Sequence, residues 1–334
     1  MSMRLTRIAG IGHHVPDRVV TNADLEKVMD TSDQWIQERS GIRERRFVER
    51  GTTCSDVGTL AARAALANAG WKSTEVQFIV FATLSPDLYF PGNGVLLQRA
   101  LELPGVGALD VRNQCTGFVY GLSVADAFIR MGMYDRVLLV GAEVHSPGLR
   151  MNTLGRDTAV LFGDGGGAVC LEATDGSDGS QILGHHLHAD GRFAEELCIL
   201  RPGSASDPWL TPEMIDEGLT FPHMNGREVF KHAVTRFPEV IEEALDAQNL
   251  SISDVDMVIP HQANERITEA VRKRLDIAPE KVYSNIAKYG NTTAASIPIA
   301  LSEAVSEGNV KRGDLVCLAA FGSGFTWGSS LLRY

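Results

Sequence analysis

The sequence predicts a layered α/β fold whose strands are buried on both faces. Three observations predict it. Short, wholly apolar runs alternate with longer segments whose apolar residues recur at helical spacing, the pattern of strands covered by helices on both sides. No linker, charge run or low-complexity stretch interrupts the chain. The order helix, strand, loop, helix, strand, glycine turn, strand occurs in both halves, a hint of duplication with a boundary near Thr174–Ser180. Residues 1–174 and 175–334 are then two similar halves of a 334-residue chain, long enough to bury a large core without cross-links.

The elements follow in order. Ser55–Ala69 places small and apolar residues at helical spacing, and Val76–Thr83 (VQFIVFAT) is an apolar strand run. Gly117–Met131 reads as a helix with Phe118, Leu122, Ala125 and Ile129 on one face, and Arg136–Ala142 (RVLLVGA) as a buried strand. Ala159–Glu172 reads as two strands, AVLF and AVCLE, around the glycine turn GDGGG. HHLH at His185–His188 reads as a strand with alternating faces, not a metal cluster. Arg201–Met224 holds four prolines and two glycines and reads as a solvated excursion inside a domain. Phe230–Gln248 is a helix and Val255–Pro260 a strand. Glu265–Leu275 and Ala294–Ser306 are helices, and Leu315–Phe321 and Phe325–Arg333 are closing strands.

Charge and cysteine usage narrow the function. The chain carries 31 Lys and Arg against 42 Asp and Glu, a net charge of −11, which argues against broad nucleic-acid binding but not against a local basic patch. The apolar run near the start is too short for a secretory signal, and no run is long enough to span a bilayer. The five cysteines, Cys54, Cys115, Cys170, Cys198 and Cys317, are odd in number and form no CxxC pair. A reduced, cytoplasmic setting with free thiols is expected.

Cys115 lies in RNQCTGFVYGL, after a polar turn and just before an amphipathic helix. A helix start offers free N–H groups and the positive end of the dipole, which favour a thiolate and suit an oxyanion formed on a thioester. Cys170 and Cys317 sit inside apolar strand runs, and Cys54 and Cys198 have no helix start or nearby base. A cysteine nucleophile needs partners from elsewhere in the fold. His261 opens PHQAN after an apolar strand, and Asn291 lies in the glycine-marked loop YGNTTAAS before a helix. Either residue is equally at home as a cap or a hydrogen-bonded turn.

At these residues the chain resembles the β-ketoacyl-acyl-carrier-protein synthase III family of the thiolase-like superfamily. The likeness runs through TSDQWIQERSGIRERR, CTGF at Cys115, FGDGGGA at Phe162, HLHADG at His186, PHQAN at His261, GNTTAASIP at Gly290 and AFGSGFTWG near the end. It implies a thiolase-like five-layered αβαβα sandwich, a homodimer, and an acyltransferase that needs no cofactor because acyl-CoA is a substrate. The implied reaction is a decarboxylative Claisen condensation: a cysteine takes an acyl group from acyl-CoA, and malonyl-acyl carrier protein loses CO2 and attacks the resulting thioester. An alternative within the superfamily passes the acyl group to another β-keto acid, an alcohol or an amine in secondary metabolism.

Carried over residue by residue, Cys115 matches the nucleophile and His261 and Asn291 the pair that assists decarboxylation. The backbones of Cys115 and Ser323 match the oxyanion hole. Trp35, Arg39 and Arg156 match positions that hold the CoA base and phosphates; Thr31, Gly226, Phe230, Ala263 and Asn264 match the pantetheine channel. Arg266, Lys273 and Arg274 match a docking patch for the acidic carrier, with Arg266 and Lys273 on one helical face. Phe90, reached across the dimer, and His145 match the acyl pocket. The chain departs from common members at RNQ before Cys115, in the HSPGLRMNTLGR stretch, at Arg227 and at Ser323, which leaves acyl length open.

Overall fold

A computed structural model describes residues 4–334. Nine strands build two sheets: β1 (Leu5–His14), β2 (Phe78–Ala82), β3 (Gly107–Val111), β4 (Arg136–Glu143), β5 (Gly165–Thr174), β6 (Gln181–Ala189), β7 (Met257–Pro260), β8 (Leu315–Gly322) and β9 (Thr326–Arg333). The first sheet has the order β1-β5-β4-β2-β3, with β4, β2 and β3 parallel and β5 antiparallel to both neighbours. The second has the order β7-β8-β9-β6, with β7 parallel to β8 and the other pairs antiparallel. An isolated parallel bridge from Val258 to Val282 takes the place next to β7 that β3 takes next to β2. The second sheet therefore repeats the strand order of the first.

Seven helices complete the layers: α1 (Asp33–Ser40), α2 (Cys54–Ala69), α3 (Asn93–Ala100), α4 (Gly117–Arg130), α5 (Gly226–Asp246), α6 (Glu265–Arg274) and α7 (Ser296–Ser306). Helices α2 and α3 cover the outer face of the first sheet, and α5, with α6 against it, covers the second. Helices α4 and α7 lie between the sheets and touch both. The result is the five-layered αβαβα order. The middle layer is the most apolar: Phe118, Val119, Leu122, Ala125 and Ile129 of α4 pack with Val80, Leu139, Val169, Leu318 and Leu332 of both sheets. With sheet on two sides, α7 is buried from Ser296 to Ala304, and α4 buries Gly117–Val119, Gly121, Leu122, Ala125, Asp126 and Ile129. No helix among the described residues is long and apolar enough to cross a membrane.

The structure corrects two readings. AVLF does not form a strand, its first residue ending the one-turn helix Arg156–Ala159, and the last three glycines of GDGGG, Gly165–Gly167, lie inside β5 rather than in a turn. Crowding is the reason. A Cβ on Gly167 would stand 2.7 Å from the Pro298 Cβ and 2.8 Å from the Ile299 nitrogen, so the bare backbone of β5 lets α7 settle onto the sheet. Cys54 was expected away from a helix start; it is the first residue of α2, capped by Thr53, with its sulfur 3.1 Å from the Ala142 carbonyl oxygen. His185 turns inward to Ser330 and Asp126, while His186 and His188 turn outward to share Glu243.

Gly167→Ala should lower stability by about 1–3 kcal/mol, the usual cost of forcing atoms into a packed core. Urea unfolding would show this as a lower midpoint at unchanged slope. An unchanged midpoint would mean that α7 moves freely against β5.

Candidate active site

Cys115 sits where the two sheets converge. The chain leaves β3, turns through Asn113, and enters a short 3₁₀ turn, Gln114–Thr116, that runs directly into α4. The Asn113 amide donates to the Thr116 hydroxyl at 2.8 Å, and that hydroxyl donates to the Asn113 carbonyl at 2.9 Å. Gln114 adopts φ +46°, a left-handed conformation that non-glycine residues rarely take and that recurs at functional turns. On the far side stands Gly322, the last residue of β8. A Cβ there would lie 2.5 Å from the Cys115 Cβ and 2.7 Å from its sulfur, so only glycine fits. Backbone N–H groups of Ser323 and of Cys115 itself point at the sulfur.

His261 follows β7, and its N–H donates to the Ala319 carbonyl at 2.8 Å, which fixes the ring at the end of the second sheet. Its Nδ1 is 2.6 Å from the Ser296 hydroxyl, while Nε2 is buried without any partner. Asn291 is held at both backbone ends: its N–H donates to the Leu161 carbonyl at 2.8 Å, and its carbonyl accepts from Gly163 at 3.0 Å. Its Oδ1 accepts the Thr293 N–H at 2.8 Å, which assigns the oxygen and leaves the NH2 face for the cavity. Thr293 adopts φ +48°, a strained conformation for a β-branched residue, and in doing so aims its N–H back at Asn291.

Cys115, His261 and Asn291 line one cavity of about 130 Å³, with Phe162, Phe321, Gly322 and Ala263 among its walls. Gly226, Phe230 and Asn264 line both this cavity and an outer vestibule of about 450 Å³, bordered by Trp35, Arg39 and Arg266. The guanidinium groups of Arg39 and Arg156 each lie 4.6 Å from the Trp35 ring centre. The base of the Arg201–Met224 excursion also takes part: Met224 pairs with Leu197 in a small hairpin, and both line the inner cavity.

Other expected residues lie elsewhere. Thr31 is not on either wall, and its hydroxyl is buried without a partner. His145 is buried behind the Asn291 loop, with Nε2 2.8 Å from the Thr293 hydroxyl. Phe90 is 80% exposed and borders neither cavity within this chain. On α6, Arg266 stacks over Phe230 at 5.6 Å and Arg274 donates to the Val234 carbonyl, so these two lean over α5. Lys273 instead pairs with Glu269 at 3.2 Å.

Burial governs the electrostatics. The helix start was expected to favour a thiolate, but burial, helped by nearby Glu143, pushes the Cys115 thiol up to about 12 despite the two N–H groups. Glu143 was not anticipated. It is fully buried and accepts from the Thr83 and Ser85 hydroxyls and from the Leu84 and Ser85 N–H groups, and burial pushes it up to about 7. Its only mark in the sequence is a single acid ending an apolar strand run. Burial also pushes His261 down to about 3, so the imidazole is neutral at physiological pH.

The sign for Cys115 is direct: a raised thiol pKa means less thiolate at pH 7 than a free thiol of about 8.5 has. Iodoacetamide should therefore modify Cys115 more slowly than a free thiol at pH 7, with the rate still climbing above pH 9. Intact-mass time courses across pH would test this; a plateau below pH 8 would contradict it.

Comparison with known proteins places the chain in a family. Residues 109–191 match the family model for 3-oxoacyl-[acyl-carrier-protein (ACP)] synthase III, and residues 245–334 match the model for its C-terminal region. The chain is 44% identical over 332 residues to the beta-ketoacyl-[acyl-carrier-protein] synthase III of Acidiphilium cryptum, covering 99% of this chain and 100% of that protein. It is 47% identical over 338 residues to the corresponding protein of Xanthomonas campestris pv. campestris, covering 100% of both. The crystal structure of 3-oxoacyl-[acyl-carrier-protein] synthase III from Aquifex aeolicus VF5 superposes with a TM-score of 0.90 at 44% identity, covering 98% of this chain and 100% of that one. Matched in sequence along its whole length and in fold through all five layers, the chain belongs to the β-ketoacyl-acyl-carrier-protein synthase III family of thiolase-like enzymes.

Proposed function

We propose that the chain condenses an acyl-CoA primer with malonyl-acyl carrier protein, releasing CO2 and CoA and giving a 3-oxoacyl product that initiates fatty-acid synthesis. One observation carries the reading: a single narrow cavity holds the Cys115 thiol, the partnerless Nε2 of His261 and the free NH2 face of Asn291. Membership of the family supports the same reaction.

The chemistry follows from these groups. The Cys115 sulfur attacks the acyl-CoA carbonyl, and the N–H groups of Cys115 and Ser323 stabilise the oxyanion. The bond to the CoA sulfur breaks, and CoA leaves as the thiol with the cysteine proton. Transfer is thus proton-neutral overall, which suits a thiol held well above neutrality. The malonyl thioester then loses CO2, and the bonding electrons pass to its carbonyl oxygen as an enolate. N–H donors on His261 and Asn291 meet that charge. In a narrow, mostly apolar cavity such donors act at low dielectric and need little reorganisation. The enolate carbon attacks the acyl-cysteine, the bond to the Cys115 sulfur breaks, and the departing thiolate takes up one proton from solvent.

The vestibule suits CoA. The Trp35 ring and the guanidiniums beside it offer stacking surfaces for a purine, and Arg39 and Arg156 offer charge for phosphate. Gly226, Phe230, Ala263 and Asn264 form a channel that suits pantetheine. Arg266 presents charge at the vestibule that an acidic carrier protein would meet, and Lys273 and Arg274 extend that charge further along α6. The exposed rings of Tyr89, Phe90 and Trp209 support a homodimer in which Phe90 reaches the partner's acyl pocket beside His145. The repeated strand order supports two similar halves, 1–174 with the nucleophile and 175–334 with His261 and Asn291. The setting is the cytoplasm, and no cofactor is required.

Incubation with radiolabelled acyl-CoA should label Cys115, and Cys115→Ala should abolish both labelling and condensation. Full condensing activity in that variant would sink the assignment. His261→Ala and Asn291→Ala should each slow condensation by about a hundred- to thousandfold, the usual cost of one lost oxyanion donor, while acylation persists. Trp35→Ala should raise KM for acyl-CoA with kcat nearly unchanged, the signature of lost uniform binding.

A further inference from the structure

We propose that Ser296 is a positioning residue that fixes the tautomer of His261, keeping the proton on Nε2, the nitrogen that faces the cavity. The proposal deepens the reading of His261 as an enolate donor and rests on it.

Donor counting leads to this assignment. Ser296 opens α7 and is 1% exposed. Its Oγ lies 2.6 Å from His261 Nδ1 and also accepts the Gln262 N–H at 3.4 Å. A hydroxyl has one hydrogen and two lone pairs. Among the described residues, the only acceptor within hydrogen-bond reach of that hydrogen is His261 Nδ1. Were the ring proton on Nδ1, Ser296 would accept from both His261 and Gln262, and its own hydrogen would be buried with nothing to receive it. With the hydroxyl donating to Nδ1, both groups are satisfied and the ring proton sits on Nε2.

The scaffold holds Gln262 in place for this. Its side-chain NH2 donates to the Pro260 carbonyl at 2.7 Å, and its Oε1 accepts from the Asn285 N–H at 3.0 Å. The backbone N–H that fills the Ser296 acceptor site is therefore not free to swing away. Nε2–H is left as a buried donor with no protein partner, lining the same cavity as the Asn291 NH2. Two neutral donors then converge where a thioester oxygen gains charge. Burial, which pushes the ring down to about 3, keeps it from holding both protons. In this state His261 has no free lone pair toward the cavity and cannot take the Cys115 proton, in accord with that proton leaving on CoA.

Nitrogen-15 NMR of the full-length protein labelled at histidine tests the assignment directly, with the His261 signals identified by their loss in His261→Gln. The expected spectrum at pH 7 shows an unprotonated Nδ1 and a protonated Nε2 for His261 in the resting wild-type enzyme. A protonated Nδ1 there overturns the proposal, whatever any variant does. Ser296→Ala should yield a mixture of tautomers and slow CO2 release from malonyl-acyl carrier protein on the order of tenfold or more, as loss of an enforced tautomer does elsewhere. Acylation of Cys115 by acyl-CoA, read by intact mass, should stay within about twofold, because that half-reaction draws on backbone donors. Ser296→Thr, which keeps the hydroxyl, should restore the wild-type nitrogen pattern and decarboxylation. Equal slowing of both half-reactions, or decarboxylation at the wild-type rate in Ser296→Ala, would count against the proposal. Failure of the wild-type enzyme to release CO2 at all would instead remove the condensation reading, and the NMR result would still stand by itself.

Discussion

Cys115 and Gly322 meet across the seam between the two sheets, and the rest of the site depends on that contact. The cysteine is carried by a turn that the first sheet launches into α4, and the glycine ends a strand of the second sheet. Because Gly322 has no side chain, the sulfur can lie against the β8 backbone, where the Ser323 N–H reaches it. The strained Gln114 turn, the Asn113–Thr116 hydrogen bonds and the packing of α4 between the sheets all hold the cysteine in that seat. His261 and Asn291 come from loops on the same side of the seam, so three distant segments share one small space.

Placing the site so deep sets its electrostatic character. Burial disfavours every charged form, which raises the Cys115 thiol and lowers His261. The resting site is therefore a set of neutral groups whose dipoles are aimed at places where charge will develop. This differs from a thiolate–imidazolium pair, which would need compensation in the same buried space. Glu143 is the exception, a carboxyl in the core, and it is held by a ring of hydroxyl and N–H donors that ties the loop after β2 to the end of β4. The same low dielectric that opposes a thiolate strengthens the donors around an enolate or oxyanion.

Much of the fold was legible because buried strands and amphipathic helices write their periods into the chain. The helix over 117–131, the strand over 136–142 and the closing strands all lie within a residue or two of their places in the structure. One of the errors has a distant cause. A glycine run usually signals a turn, yet Gly165–Gly167 sit in β5 because α7 presses on it, a fact about a helix more than a hundred residues away. Cys54 is a different case, because the capping box of Thr53 and Asp56 that starts its helix is a local signal written in TTCSD. Helical spacing puts Lys273 on the face of Arg266, but Lys273 pairs with Glu269 and Arg274 reaches the Val234 carbonyl, so that of the three only Arg266 borders the vestibule.

By itself, the sequence determined the alternating elements, the family, and the identity of the three polar groups, since each of these is encoded in local period or in short motifs. Only the tertiary structure decided which faces those groups turn toward one another and what charge they carry. The seat of Asn291 follows from backbone hydrogen bonds to Leu161 and Gly163, the orientation of the His261 ring from a serine 35 residues away, and the neutral thiol from the depth at which two sheets enclose it. Protonation and orientation depend on desolvation and on partners distant in the chain, and neither quantity exists until the layers have packed.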